Sequence, residues 1–180
     1  MGNQQERFDY RLAWLAALIE GEGWISLVLV KNYQNNGKFT PGYLPTIGVV
    51  NCDFKIMDEV EDLFNLLGLS FRKSHRKNGK GSDGIMRKEK IEISVCSRQS
   101  LRALINSILP FMIGEKKNRA LLLLDYFNIR DSKPRSGKNS KYGKEEFDIY
   151  EKMYSYKGRR GRRSKILNDY TLEFETSNKI

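Results

Sequence analysis

Across residues 10–21 the apolar side chains recur at helical spacing and no proline interrupts them, which predicts a helix from Tyr10 to about Gly21 with Asp9 as its N-cap. The pattern changes at once after it. WISLVLVK (24–31) and YLPTIGVVN (43–51) are β-branched and apolar, with the turn signals NNGK and PG between them, so the two segments read as a hairpin. In DFKIMDEVEDLFNLLG, Ile56, Val60, Leu63, Phe64 and Leu67 share one face of a helix that Gly68 ends. LSFRKSHRK and KIEISVC, separated by the loop NGKGSDG, make a second hairpin. SRQSLRALINSIL is a capped helix, and EKKNRALLLLDYFNIR is another after Pro110. A short helix from Glu145 to about Tyr156 carries Phe147, Tyr150 and Tyr154 on one side. The order αββαββαα is that of an α+β domain, placed at 1–130, with an extension at 131–180.

The first helix ends in an arrangement that needs explanation. Glu20 and Glu22 are each followed by glycine and then immediately by the first strand. A carboxylate at a helix C-terminus faces the negative end of the backbone dipole, a repulsion of ~0.3–1 kcal/mol at exposed sites. Ala13, Ala17 and Gly21, spaced by four, form a strip of small residues that lets another helix approach closely. If that helix belongs to a second copy, a two-fold axis brings both acidic ends together. Divalent cations would then offset the repulsion. The carboxylate of Glu22 and the carbonyl of Gly21 are hard oxygen donors suited to Mg²⁺, with Mn²⁺ as a substitute, and such a centre beside phosphates suits phosphodiester hydrolysis. The plainer reading is an amphipathic helix with a glycine end and Glu22 exposed to water.

Charge sharpens the choice of partner. The 180 residues carry a net charge of +10 and an isoelectric point near 9.6, a balance that attracts polyanions, nucleic acid first. Between Asp131 and Lys165, 12 Lys and Arg stand against 5 Asp and Glu, so this stretch supplies +7. It contains SKPRSGKNSKYGK, expected to be a mobile loop, and KGRRGRRSK, either a solvated tail or an arm that tracks phosphates. No apolar run is long enough for a membrane span and no signal-peptide core follows the N-terminus, so the expectation is a soluble intracellular protein without a membrane partner. Its setting is either an organelle (chloroplast or mitochondrion) or a prokaryotic cytoplasm. Cys52 and Cys96 lie among apolar residues without metal spacing and are expected to be buried.

LAALIEGEG, Leu15 to Gly23, resembles the signature of the LAGLIDADG homing endonucleases at Leu15, Ala16, Leu18, Ile19 and Gly23, with Glu in place of Asp at both acidic positions and Ala17 where glycine is usual. The element order is also similar to that family's αββαββα core. One copy of the motif implies the single-motif, homodimeric branch. The resemblance implies a site-specific double-strand DNA endonuclease acting on an intronless target, leaving short 3′ overhangs. It implies Glu22 and Gly21 as metal ligands, Asn51 as the residue that positions water or metal, and Lys116, with Lys117 as the alternative, beside the phosphate; Glu20 would be structural or support the metal ligands from behind. By the plainer reading Asn51 is a turn residue or helix cap, and Lys116 and Lys55 are surface charges. An intron-RNA-binding maturase or a non-cleaving DNA-binding protein of the same fold is the competing reading.

The same resemblance lays a twisted antiparallel sheet in the major groove. By strand alternation Arg72, Ser74 and Arg76 share one face, and arginine suits bidentate recognition of guanine. Lys31, Asn32, Gln34 and Asn35 near the first hairpin tip and Lys55 beside the candidate centre are further DNA contacts. Arg159, Arg160, Arg162 and Arg163 of the basic tail would add phosphate contacts. WISLVLV is apolar on both faces, so it does not reveal which face meets DNA. His75 alternates with the arginines and is expected to pack or lie at the surface.

Overall fold

The structure is a computed structural model, and it describes residues 2–33, 39–80, 83–134 and 142–155. Helix α1 (Gly2–Glu22) leads into strand β1 (Gly23–Tyr33), which pairs antiparallel with β2 (Phe39–Asn51). Helix α2 (Phe54–Leu66) follows, then β3 (Arg72–Arg76), a small ladder of β4 (Gly79–Lys80) and β5 (Met86–Arg87), and β6 (Lys90–Val95). Helix α3 (Arg98–Ile108), a 3₁₀ turn (Leu109–Phe111), α4 (Glu115–Ser132) and α5 (Lys144–Ser155) complete the described chain. The predicted α+β order is present, with the ladder lying between the two strands of the predicted second hairpin and extending past the predicted loop at 78–84.

The four-stranded sheet has the order β1-β2-β6-β3 and all of its pairs are antiparallel. Alternation sends Ile25, Leu27, Ile47, Val49, Ile91, Ile93 and Val95 to one face, where they are buried with α1, α2, α3 and α4. Ile149, Tyr150 and Met153 of α5 join the same cluster. With the helices on one side, the other face of the sheet remains open, as antiparallel sheets allow.

Local chemistry explains the ends. The Asp53 carboxylate accepts from the N–H groups of Lys55 and Ile56 to start α2. Gly68, at φ +64°, ends it in the left-handed region that glycine enters without a steric cost. Ser97 caps α3 through the Ser100 N–H. Three expectations are corrected. Asp9 is not an N-cap: α1 begins at Gly2, because residues 4–7 are good helix formers, and Asp9 accepts from the Gln5 side chain at 2.9 Å. On α2 it is Met57 that is fully buried, while Ile56 is only partly so. Cys52 and Cys96 are both exposed: Cys52 stands in the turn between β2 and α2, and Cys96 follows inward-facing Val95 and so turns outward, its Sγ 3.8 Å from Thr46 Oγ1. On α5, Glu146, Ile149, Tyr150 and Met153 are buried, with Phe147 and Tyr154 partly so.

Candidate functional site

The α1–β1 junction is held from three sides. Gly23 sits so close to its neighbours that a β-carbon there would lie 2.7 Å from the Gly48 carbonyl oxygen and 2.8 Å from Ile19. Glu20 turns back into the protein, where its Oε1 accepts from the Gly114 N–H at 2.9 Å and the Ile113 N–H at 3.2 Å. A β-carbon at Gly114 would overlap the carboxylate in this position, so glycine there leaves room for Glu20. From the first turn of α4, Lys116 Nζ donates to the carbonyls of Glu20 at 2.7 Å and Ile19 at 2.9 Å. The lysine therefore offsets the negative end of α1. Burial pushes its ammonium below the ordinary lysine range, the neighbouring Arg119 acts in the same direction, and Glu20, Glu115 and Glu22 oppose them.

Much of the compensation that Glu20 needs is thus internal. The expectation that cations alone would relieve both acids holds no longer for Glu20, whose carboxylate has two N–H donors. Glu22 differs: it is exposed and makes no hydrogen bond or ion pair among the described residues. Gly21 beside it is also exposed, with nothing within 4 Å of an added β-carbon. Exposed Ala17 and half-buried Ala13 continue the strip along α1, while Leu12, Leu15, Ala16 and Ile19 on the opposite side are buried. Tyr10 and Trp14, 67% and 36% exposed, flank the small residues and leave an apolar helix face uncovered.

No family model and no curated protein matches the sequence. Solved structures do match its fold. The archaeal intron-encoded homing endonuclease I-Vdi141I, solved with DNA, superposes with a TM-score of 0.65 at 17% identity, covering 96% of this chain and 99% of its own. I-CvuI, solved with its target in the presence of calcium, gives 0.61 at 18% identity, covering 95% and 96%. The LAGLIDADG homing endonuclease I-LtrWI, bound to target DNA, gives 0.52 at 20% identity over 78% of this chain and 43% of its own.

The chain has the LAGLIDADG homing-endonuclease fold.

Within this LAGLIDADG fold the remaining predicted residues separate clearly. Asn51 lies two residues beyond the Gly23–Val49 pair, at the sheet end where α1 stops, and its Oδ1 accepts from the Asp53 N–H at 2.9 Å. Lys55 is exposed in the first turn of α2. Lys116, rather than Lys117, is the lysine whose ammonium reaches α1. Arg72, Ser74 and Arg76 pair with Ser94, Glu92 and Lys90 of β6 and share the open face. Arg72 is unpaired among the described residues, whereas Arg76 contacts Glu92 at 3.2 Å. His75 points to the helical side, edge-on to Phe54, with its Nε2 2.7 Å from a Glu89 carboxylate oxygen.

Lys31 and Asn32 occupy β1 opposite Pro41 and Thr40. Gln34, Asn35, residues 135–141 of the loop expected at 132–144, and Arg159, Arg160, Arg162 and Arg163 lie outside the described residues. Among the described residues no three His, Cys, Asp or Glu side chains converge, and no helix is long and apolar enough to cross a membrane. Sequence reasoning missed the Glu20 anchor to residues 113 and 114 and the close fit of Trp24 over Gly48, where a β-carbon would overlap the indole. A lone glycine inside a strand was the available signal for the second.

Proposed function

We propose that the protein is a homodimeric, divalent-metal-dependent endonuclease that cuts both strands of a specific duplex DNA site and leaves short 3′ overhangs. The observation that carries this reading is Glu22: an exposed, unpaired carboxylate at the end of a helix whose neighbouring carbonyls are held by Lys116, at the end of a sheet with an open face. I-Vdi141I and I-CvuI were solved with DNA, and I-CvuI and I-SmaMI with calcium, which supports the same partner and a divalent ion.

The donors fit Mg²⁺. Glu22 offers carboxylate oxygens and Gly21 a main-chain carbonyl, and neither residue's side is blocked by protein. When bound, such an ion polarises the scissile phosphate and lowers the pKa of water. The chain's own residues supply placement. Glu20 and Lys116 fix the terminal turn of α1 so that Glu22 is presented outward, and Asn51 and Lys55 stand at the same end of the sheet to order water and counter phosphate charge. Arg72 and the β1–β2 hairpin hold the duplex along the open face. The uncovered strip of Ala13, Ala17 and Gly21 receives the same strip of a second copy, so that each copy serves one strand.

The test is incubation of the protein with a DNA library in Mg²⁺ and in Ca²⁺, with Glu22→Gln in parallel. Discrete cuts in Mg²⁺, lost at least ~100-fold in the variant while binding in Ca²⁺ persists, support the reading. Cutting unaffected by the substitution, or binding to intron RNA alone, contradicts it.

A further inference from the structure

The open face of the sheet is not uniformly polar, and its rows have a clear order. Across the sheet, Trp24, Gly48, Ser94 and Arg72 stand in one row, and Ser26 and Thr46 stand in the next row outward on β1 and β2. The row after that is the cross-strand pair Val28 and Leu44. Both are exposed, at 42% and 43%, and β6, which pairs β2 only over Ile47–Asn51, does not extend alongside them. Partly buried Val30 follows, opposite buried Gly42, which has no side chain to place there. An outward-facing valine and leucine on a two-stranded ribbon gain nothing from water. The preceding residues along each strand, Leu27 and Tyr43, already fill the inner face.

The occupant of this face is set by charge and shape. The same face carries unpaired Arg72, on a chain of net charge +10, and a two-stranded ribbon fits the major groove of B-form DNA. In that groove the C5 methyl of thymine is the one apolar group on a base edge. Guanine and cytosine present only acceptors and a donor, which valine and leucine would desolvate without bonding. We propose that Val28 and Leu44 read thymine methyls, so that each half-site carries T·A pairs, in either orientation, where this row lies. The row is four residues beyond Trp24, roughly 13 Å at ~3.3 Å per residue, or about four steps of ~3.4 Å along the duplex. The proposal rests on the DNA-binding reading above and adds to it the base identity of one part of the target.

The full-length protein is used to select duplexes from a randomised library in Ca²⁺, which separates recognition from cutting. The expected result is a site with T·A at adjacent positions on each side. Replacing those thymines by uracil, which removes only the methyl, weakens binding roughly fourfold per methyl. The V28Q/L44Q double variant, monitored by circular dichroism for an unchanged fold, loses the preference at those pairs alone and becomes indifferent to uracil. A selected site with G·C at those pairs, or one bound equally with uracil, overturns the thymine assignment and leaves the nuclease reading intact. Selection of no sequence at all overturns both, and self-association lost in the double variant would assign the face to protein instead.

Discussion

At the residue scale, the α1–β1 junction depends on contacts that tolerate little change. Gly23→Ala places a β-carbon against two stretches of backbone, so it should destabilise the fold by ~2 kcal/mol or more, read as a lower midpoint in urea unfolding. Lys116→Ala removes charge-assisted bonds to two carbonyls and should cost ~1.5–3 kcal/mol, whereas Lys117→Ala should stay within ~0.5 kcal/mol. Equal losses at the two lysines would remove the basis for assigning Lys116 its place. The sequence around Leu15–Gly23 already disclosed the acidic turn, because glycines flanking carboxylates at a helix end are a local pattern. What it did not disclose was the partner of each acid. Glu20 finds its N–H donors 93 and 94 positions along the chain, a separation that no local spacing encodes. The cysteines show the same limit: apolar neighbours in sequence made burial the expectation for Cys52 and Cys96, yet strand parity and a turn direct both outward.

At the scale of elements, most helices and strands were legible because each announces itself by period and punctuation, with Ser97 as a cap and Gly68 as a stop, although the cap of α2 proved to be Asp53. The orientation of β1 was not, since Trp24, Val28 and Val30 alternate with Ile25, Leu27 and Leu29, and only the register with β2 and the helices behind it separates Val28 outside from Leu27 inside. Helix α5 depends on a buried acid. Glu146, fully buried, accepts from Lys133 at 2.7 Å, from the Gly143 N–H at 2.8 Å and from Arg130 at 3.2 Å. Burial alone would raise its pKa, but Lys133, the Gly143 N–H and Arg130 together outweigh it and hold the carboxyl below the ordinary value. Its contribution to stability is therefore complete above the unfolded glutamate value of ~4.3 and is lost as pH falls through the lower folded value. Glu146→Ala should cost ~3 kcal/mol and loosen α5 near neutral pH. Glu146→Gln should remove the Glu146 share of the acid-dependent loss of stability below about pH 4, leaving that of Asp83 and Asp131 in place. A wild-type profile with the same acid slope as the variant would contradict this account of the clamp.

At the scale of the whole molecule, the two exposed surfaces have separate tasks in the proposed enzyme. In that proposal the α1 face, with Tyr10, Trp14, Ala17 and Gly21, would join two copies, and the open sheet face would lie along DNA. Ala17→Arg would place like charges opposite each other across a two-fold axis and should weaken association about 100-fold, visible as a monomer mass in light scattering. An unchanged dimer would place the interface elsewhere. The central claim, that paired Glu22 carboxylates form the cutting centre, is tested most directly by a crystal structure of the full chain with its selected duplex and Mn²⁺, located by anomalous scattering. The account predicts metal density at coordination distance, about 2.1 Å, from the Glu22 carboxylate of each copy and next to a backbone phosphate. Metal density bound elsewhere, with residue 22 remote from its symmetry mate and from every phosphate, would contradict it.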